Sequence, residues 1–255
     1  MTTLADSEIK DGMGCGSLIR GGTAAQLGPA CYELRIGSVY YDLTEGDKRI
    51  DAADHGTVLI KPSHRVVLIT LEEVDIPDNM IARVISKGSL FSVGLSPVST
   101  YADPGFAGNL GIVTQNLSDK YIQIPVGEPI AKIEFSTLSS VVTRPYRGQH
   151  GFQTKIWPIR HELQKTYNEV RDDPRVDSEE AEAYKVLPRA TADALRQIQQ
   201  RQRIVNGAIL LALFINALVL AAVSTNFLNT IVSIVTNIVS TAIVGALMWF
   251  TRTKD

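Results

Sequence analysis

The chain has 255 residues, which is enough for one large domain or two smaller ones. Its 25 Lys and Arg residues nearly balance its 27 Asp and Glu residues, and the formal net charge of −2 excludes a strongly basic, nucleic-acid-binding protein. A hydrophobic content of 45% excludes global disorder, and two Cys residues do not make a disulfide scaffold.

Residues 1–158 carry the pattern of an all-β domain. Short runs rich in β-branched residues alternate with turn segments, at the spacing of about ten residues that is typical of a barrel or a sandwich. One helix is predicted at the start, over Asp6–Gly12, with Asp6 as its cap. The strand runs are VVLIT (66–70), IARVIS (81–86), LGIVTQ (110–115), YIQIP (121–125) and IAKIEF (130–135).

Three polar, Gly-containing segments between the strands are candidates for binding or catalysis. Segment 86–90 supplies backbone N–H groups, a hydroxyl and an ammonium, a set that suits a phosphate. Segment 101–106 presents the carboxylate of Asp103 on a rigid turn, and segment 146–151 is the third. Each segment alone is more often an ordinary turn. The sequence has no zinc-ligand spacing, P-loop or nucleophile elbow, so no metal-binding residues are predicted.

Residues 159–203 form a separate and highly charged linker. Acidic and basic residues are mixed along it, and Pro174 and Pro188 interrupt it. We predict a short helix, a polar stretch, and then a helix from about Ala190 that continues into the next segment. No chemistry is assigned to this linker.

The C-terminal part is apolar. From Ile204 to Thr251 the chain contains no Asp, Glu, Lys or Arg. Two stretches, 204–223 and 227–250, are each long enough to cross ~30 Å of hydrocarbon at ~1.5 Å per residue. We therefore predict two transmembrane helices, forming a hairpin over 204–250 in contact with membrane lipid. A buried pair of helices in a soluble protein is the alternative, and it is less consistent with so long an uncharged stretch.

Basic residues flank this predicted hairpin. Arg201 and Arg203 precede it, Arg252 and Lys254 follow it, and the turn inside it carries no charge. The distribution predicts an inner-membrane protein whose N-terminal domain and 251–255 tail are both cytoplasmic. A stripe of Asn, Ser and Thr on one face of the second helix is interpreted as a contact between helices, with a pore lining as the alternative.

The motifs of residues 4–158 occur in the order of a known family. They resemble the dCTP deaminase/dUTPase superfamily, and most closely its dCTP deaminase-like branch. This resemblance implies a distorted β-barrel of the dUTPase-like type over 1–158, usually a trimer, with nucleotide sites between subunits and Mg²⁺ on the triphosphate. The matching segments are LGPACYELRIG (27–37), the block 60–95, YADPGFAGNLGIVTQN (101–116), IPVGEPIAKIEF (124–135) and YRGQHG (146–151).

The same resemblance implies that deaminase chemistry is lost. The deaminase branch uses a glutamate on the strand that follows its Gly-Phe-x-Gly turn to move protons to the cytosine ring. That position is Val113 here, and a valine cannot move a proton. The family arginine after the Ser-Leu pair is replaced by Ser92.

Other matched positions keep or modify ligand chemistry. Asp103 matches the aspartate with which the diphosphatase branch activates water, so it is the predicted catalytic residue if the chain is a diphosphatase. Lys87 stands where the family's phosphate motif has an arginine, and Lys132 stands where the next hairpin of the family has a glutamine. Glu33 replaces an aspartate of the family's first motif. The predicted ligand-binding residues are Lys87, Gly88, Ser89, Asp103, Phe106 and Gln149.

Three functions follow as alternatives. The first is a membrane-anchored nucleotide-binding sensor or effector of bacterial nucleotide signalling or anti-phage defence, in which the ligand, a cyclic nucleotide included, controls the membrane helices. The second is a membrane-tethered dUTP-type diphosphatase that uses Asp103. The third is a structural membrane protein built on an inactive enzyme fold.

Overall fold

The computed structural model describes residues 2–148, 155, 157–225 and 230–252. The chain divides into two compact units, Met1–Arg160 and His161–Asp255. The described part of the first unit is mainly β-sheet, and that of the second is helical.

The first unit has twelve strands and two α-helices among its described residues. The five strand runs predicted from the sequence fall on five of these strands. The helices are α1 (Asp6–Gly14) and α2 (Gly88–Ser92). The strands are β1 (Thr2–Thr3), β2 (Ile19–Arg20), β3 (Leu27–Gly28), β4 (Cys31–Asp42), β5 (Lys48–Asp51), β6 (Thr57–Ile60), β7 (Arg65–Asp75), β8 (Met80–Ser86), β9 (Ser99–Ala102), β10 (Ala107–Gln115), β11 (Ile122–Pro125) and β12 (Pro129–Thr137).

Most strands belong to one antiparallel sheet in the order β10-β7-β4-β12-β8-β9. Strand β5 pairs with β4, β2 pairs with β7, and β6 and β11 form a separate two-stranded sheet. Among the described strands, the two ends of the main order, β9 and β10, do not pair with each other. The mainly β prediction is confirmed, and no closed barrel is found in this strand order.

Alternating burial along the strands creates two sides of the sheet. On β10, Leu110 and Ile112 point into the main core, which also contains Phe135 of β12. Gly111 and Val113 point to the opposite side because successive side chains of a strand alternate between faces. We call this opposite side of β5, β4, β7 and β10 the outer face.

A buried ion pair joins β4 to β7. Glu72 is fully buried, and its carboxylate accepts hydrogen bonds from Arg35 Nε at 2.6 Å and from the Tyr32 hydroxyl at 3.1 Å. The Arg35 backbone N–H donates to the second Glu72 oxygen at 2.8 Å. The hydrogen bond to Glu72 raises the pKa of Arg35, and burial raises the pKa of Tyr32. This network fixes the register of the two strands beneath the outer face.

The first helix begins at Asp6, as predicted, but its N-cap position lies one residue before the predicted cap. Its N-cap position is Ala5, whose backbone N–H donates to the Glu8 carboxylate at 2.9 Å. The predicted cap, Asp6, instead accepts a hydrogen bond from the Ser7 N–H at 2.9 Å. The Glu8 side chain, which belongs to the helix, accepts a hydrogen bond from the otherwise unpaired Ala5 N–H, so a polar residue at the cap is not required.

The second unit contains four α-helices among its described residues: α3 (Tyr167–Val170), α4 (Glu179–Val186), α5 (Arg189–Ser224) and α6 (Thr230–Arg252). Pro188 precedes α5, where its fixed backbone geometry suits a helix start. Helix α5 runs without interruption for 36 residues, about 54 Å at 1.5 Å per residue. The charged linker therefore passes into the apolar stretch within a single helix, as predicted.

One helix of the described residues, α5, is long and apolar enough to span a membrane by length and composition. The predicted hairpin falls on α5 and α6, which contact each other. Helix α5 ends at Ser224, where the predicted turn 224–226 begins, and residues 226–229 lie outside the described residues. In α6, the hydroxyls of Thr236 and Thr241 each donate to a backbone carbonyl one turn earlier, at 2.8 Å. These two polar groups are satisfied within their own helix.

Candidate functional site

The predicted phosphate segment, Lys87–Ser89, lies where β8 ends and α2 begins. The Lys87 ammonium is 2.6 Å from Glu33 Oε2, and Lys132 Nζ is 3.9 Å from the other Glu33 oxygen. Gly88 has open space where a Cβ would lie, and Ser89 is exposed. Backbone groups and the Ser89 hydroxyl of this segment therefore face solvent, whereas the Lys87 ammonium is paired with the Glu33 carboxylate.

The second predicted segment forms a tight turn between β9 and β10. The Phe106 N–H donates to the Asp103 carbonyl at 3.0 Å, and Gly105 takes the left-handed φ of 86° that the turn requires. The turn is anchored to the sheet, because the N–H of Gly105 donates to the Ile76 carbonyl at 2.8 Å. Asp103 is exposed at the tip of this anchored turn.

Phe106 lies in the core. Only 6% of its surface is exposed, and its ring centroid is 5.7 Å from that of Tyr146. The Tyr146 N–H in turn donates to the Pro104 carbonyl at 2.7 Å. The ring of Phe106 thus holds the turn in place. Gln149, the last predicted ligand, lies outside the described residues.

One chain does not bring these two segments together. Ala102 of β9 pairs with Ala82 of β8, so Asp103 lies near the level of Ile81. Lys87 follows the other end of β8, which places it roughly 20 Å away at ~3.3 Å per residue. A ligand site that uses both Lys87 and Asp103 therefore needs a second copy of the chain.

Exposed apolar side chains surround the phosphate segment. A pocket of 410 Å³ beside Ser89 is lined by Val93 of the loop after α2, by Tyr121, and by most of β11. The exposed fractions of Val93 and Tyr121 are 53% and 68%. Leu117, 62% exposed, is held nearby because its N–H donates to the Gly94 carbonyl at 2.8 Å.

Val113, the residue that the family resemblance aligns with the deaminase glutamate, is on the outer face. It pairs with Val67 of β7, and 45% of its surface is exposed. Ser92 lies on α2, where its hydroxyl donates to the Ser89 carbonyl at 2.7 Å. The Val113 side chain cannot move a proton to a substrate ring, and the Ser92 side chain carries no positive charge.

A tryptophan missed by the sequence analysis lies on the same face. A Cβ added to Gly111 would lie 2.1 Å from Trp157 Cη2, so the indole rests directly on the strand backbone. The ring centroids of Trp157 and Tyr41 are 6.0 Å apart. A lone glycine inside a predicted strand is the signal that was available, because it often marks such a close approach.

A basic pocket that no sequence motif indicated also lies on this face. The pocket has a volume of 420 Å³ and runs alongside the start of β10. Its charged residues come from β2, β5, β7 and the segment after β12, so no motif connects them. The residues that line it are Arg20, Arg49, Glu73, Ala107, Gly108, Asn109 and Lys155.

A carboxylate–histidine group lies at the end of β4. Ligand atoms of Asp42, Glu45 and His64 lie within 4.8 Å of one another. However, Asp42 already accepts hydrogen bonds from the N–H groups of Thr44 and Glu45 and contacts His64 Nδ1 at 2.8 Å. Glu45 pairs with Lys61, whose pKa this hydrogen bond raises. This donor set does not fit Mg²⁺, which prefers free oxygens in an octahedral arrangement.

Comparison with known proteins gives a family. Residues 3–138 match the family described as dCTP deaminase-like. The dCTP deaminase of Thermococcus gammatolerans is 33% identical over 139 residues, which are 54% of this chain and 87% of that protein. The dCTP deaminase of Pyrococcus furiosus is 32% identical over 130 residues, which are 51% of this chain and 81% of that protein.

Two solved structures superpose on about half of the chain. The 2'-deoxycytidine 5'-triphosphate deaminase of Agrobacterium tumefaciens superposes with a TM-score of 0.46 and 16% identity, over 53% of this chain and 47% of that one. A dUTPase of Staphylococcus bacteriophage 80alpha superposes with a TM-score of 0.35 and 16% identity, over 52% of this chain and 97% of that one.

Proposed function

The chain belongs to the dCTP deaminase-like family, and on that premise we propose that it is a membrane-anchored nucleotide sensor rather than a deaminase. The observation that carries the proposal is Val113, an exposed valine on the outer face at the position of the family's proton shuttle. The turn of Asp103 and the phosphate segment are both kept in the chain. Such a chain binds a nucleotide without transforming its ring.

The anchor in this proposal is the helical unit. Helix α5 starts in the charged linker and continues through the apolar stretch, so it connects the two mechanically. The proposed orientation places the β-sheet unit and the C-terminal tail in the cytoplasm, with α5 and α6 as a hairpin in the inner membrane. A ligand that binds one arrangement of the sheet units more tightly than another then shifts the arrangement of the hairpins.

The proposed assembly is a homo-oligomer, with a trimer favoured by the family resemblance. Two observations support it: Lys87 and Asp103 lie at opposite ends of β8, and exposed Val93, Leu117 and Tyr121 lie beside Ser89. A second copy would cover this apolar surface and complete the ligand site. Any Mg²⁺ would enter with the nucleotide phosphates. We further propose a role in bacterial nucleotide signalling or anti-phage defence, because these effectors often combine a ligand-binding domain with two membrane helices.

The proposal is tested by a ligand screen. Deoxynucleotides, ribonucleotides and cyclic dinucleotides are added to the full-length protein in detergent, and thermal unfolding is followed. A specific ligand stabilises the folded state by roughly 3–4 kcal/mol at 100–1,000 times its Kd. If every nucleotide leaves the unfolding temperature unchanged, the sensor proposal is wrong, and a structural membrane protein on an inactive fold becomes the better description.

A membrane-tethered diphosphatase is the second candidate, and the exposed carboxylate of Asp103 favours it. Pyrophosphate release from dUTP distinguishes the two, because a sensor binds the nucleotide intact. Release that is abolished by Asp103→Asn, with Asp119→Asn as the control at another loop carboxylate, would establish the diphosphatase.

A further inference from the structure

We propose that Glu33 sets the charge selectivity of the phosphate segment, so that the site takes a nucleotide with a single phosphate group and discriminates against triphosphates. The inference rests on the proposed nucleotide binding and names the ligand class of that same site. Nucleoside monophosphates and cyclic mononucleotides both carry a single phosphate group, and separate probes distinguish these two sources.

The cation of the phosphate segment is already engaged within the chain. Lys87 Nζ lies 2.6 Å from Glu33 Oε2, and the two side chains are 21% and 26% exposed. Water screens an ion pair weakly when so little of it is exposed, so each charge largely cancels the other. A phosphate that binds Lys87 must therefore share the ammonium with Glu33 or pull it away from Glu33.

The sheet holds Glu33 in this position. Glu33 lies on β4 directly opposite Lys132 of β12, and Lys87 follows β8, the strand on the other side of β12. The Lys87 N–H donates to the Ile130 carbonyl of β12 at 3.3 Å, which fixes the backbone from which its side chain extends. A ligand at the phosphate segment therefore meets the Glu33 carboxylate at a fixed place.

Separation of Lys87 from Glu33 is unfavourable. Lys132 Nζ is 3.9 Å from Glu33 Oε1, and its side chain is 42% exposed, so it is a weaker partner than Lys87. Without Lys87, the mostly buried Glu33 carboxylate would keep only this partial pairing, and a buried charge that loses its partner is destabilising. The favoured ligand thus leaves the pair of Lys87 and Glu33 in place and adds little negative charge.

The charges around the site sum to a small value. Lys87 and Lys132 supply two positive charges and Glu33 one negative charge, which leaves one net positive charge in the cluster. Among the described residues that line the adjoining pocket, Glu128 is a carboxylate and none is a cation. A second copy would bring a further carboxylate, Asp103. One phosphate group carries about −1.5 to −2 charges and roughly matches the cluster, whereas additional phosphate groups would face carboxylates.

Glu33 is also occupied as a metal ligand. A divalent cation that arrives on a triphosphate needs free carboxylate oxygens. The two Glu33 oxygens face ammonium groups instead, Oε2 that of Lys87 and Oε1 that of Lys132. While this cluster is intact, a complex of triphosphate with Mg²⁺ gains no contact from Glu33.

The test compares affinities by calorimetry on the full-length protein in detergent. The probes are dCMP, cyclic CMP and dCTP, each with and without Mg²⁺, and inorganic phosphate and triphosphate repeat the comparison without a base. At least one of the two single-phosphate nucleotides is expected to bind the unmodified protein more tightly than dCTP does. The tighter of the two identifies the source of the phosphate group.

Glu33→Gln is expected to reverse this preference. The amide removes the negative charge and frees Lys87, so dCTP should bind about tenfold more tightly, while dCMP gains less. Asp54→Asn is the control, because it removes one exposed carboxylate between β5 and β6 and changes the net charge equally. It should leave the ratio of the dCTP and dCMP affinities unchanged.

A compensating variant separates charge from folding. Lys132→Gln removes one cation of the cluster and should weaken dCTP binding more than dCMP binding. Glu33→Gln combined with Lys132→Gln restores the original net charge, so the affinity ratio should return toward that of the unmodified protein. A purely structural role of Glu33 would not give this return.

Two outcomes overturn the inference and leave the proposed function standing. In the first, dCTP binds the unmodified protein more tightly than both dCMP and cyclic CMP. In the second, Glu33→Gln keeps the affinity ratio of the unmodified protein. If none of these nucleotides binds, the inference is also wrong, and the proposed function depends on the wider nucleotide screen alone.

Discussion

The ammonium of Lys87 lies 2.6 Å from the carboxylate of Glu33, and the two side chains are only 21% and 26% exposed. Lys132 approaches the same carboxylate because it pairs with Glu33 across β12 and β4. The family resemblance implies that all three residues replace family residues of the phosphate motif and its surroundings. They form one ion cluster, so the three departures from the family pattern are physically coupled.

This coupling gives opposite expectations for two variants. Lys87→Ala should weaken binding of inorganic triphosphate about tenfold, the low end for a charged hydrogen bond, because Glu33 already neutralises part of its charge. Glu33→Gln should strengthen binding, since it frees the ammonium. Calorimetry measures both, with Lys10→Ala on α1 as the control. Unchanged affinity in both variants would remove Lys87 from the ligand site.

We expect no deamination of dCTP. The family resemblance aligns Val113 with the deaminase glutamate and Ser92 with a family arginine, so Val113→Glu alone should not restore activity. Ammonia release is the measurement, with the buffer as background. Release that scales with the amount of protein would contradict the assignment of Val113.

Glu72→Gln should lower the free energy of unfolding by about 3–5 kcal/mol. The substitution leaves the Arg35 guanidinium, 19% exposed, without its buried counter-charge. Urea unfolding of residues 1–160 measures the loss. Lys61→Ala, at a pair whose side chains are 42% and 38% exposed, is the control and should cost no more than ~1 kcal/mol. Equal losses of unfolding free energy in the two variants would show that the burial of Glu72 does not increase the contribution of its ion pair to stability.

Stability should fall in alkaline solution. Burial raises the pKa of Tyr32 and of Tyr40 above the ordinary value of 10.0. Between the unfolded and folded pKa values only the unfolded chain loses these protons, so the stabilisation is complete below about pH 10 and is lost above it. The urea midpoint between about pH 8 and pH 11 should decline, and less steeply in Tyr40→Phe. A midpoint independent of pH would refute this.

Full-length protein should require detergent for extraction, whereas a chain ending at Arg160 should stay in the high-speed supernatant. The reason is the uncharged stretch within α5 and α6. Removal of 204–250 should give the same result as the shorter chain. Full-length protein in the supernatant without detergent would contradict both the membrane hairpin and the inner-membrane location.

The sequence by itself determined the elements and the family. Alternation and β-branched content identified the strands because burial of one sheet face repeats every second residue. The ordered motifs around Asp103 and Lys87 identified the superfamily, since each needs particular residues at fixed spacing. The absence of a glutamate at position 113 was equally visible. All of these signals are local in the chain.

The tertiary structure decided which residues meet. The contact between Lys87 and Glu33 joins positions 54 residues apart, and the basic pocket joins Arg20, Arg49 and Lys155 from separate elements. Trp157 lies on Gly111, although the two residues are 46 positions apart in the chain. Such contacts depend on register and on strand order, which leave no pattern in the sequence. For the same reason the sequence grouped Lys87 with Asp103, and the fold separated them along β8.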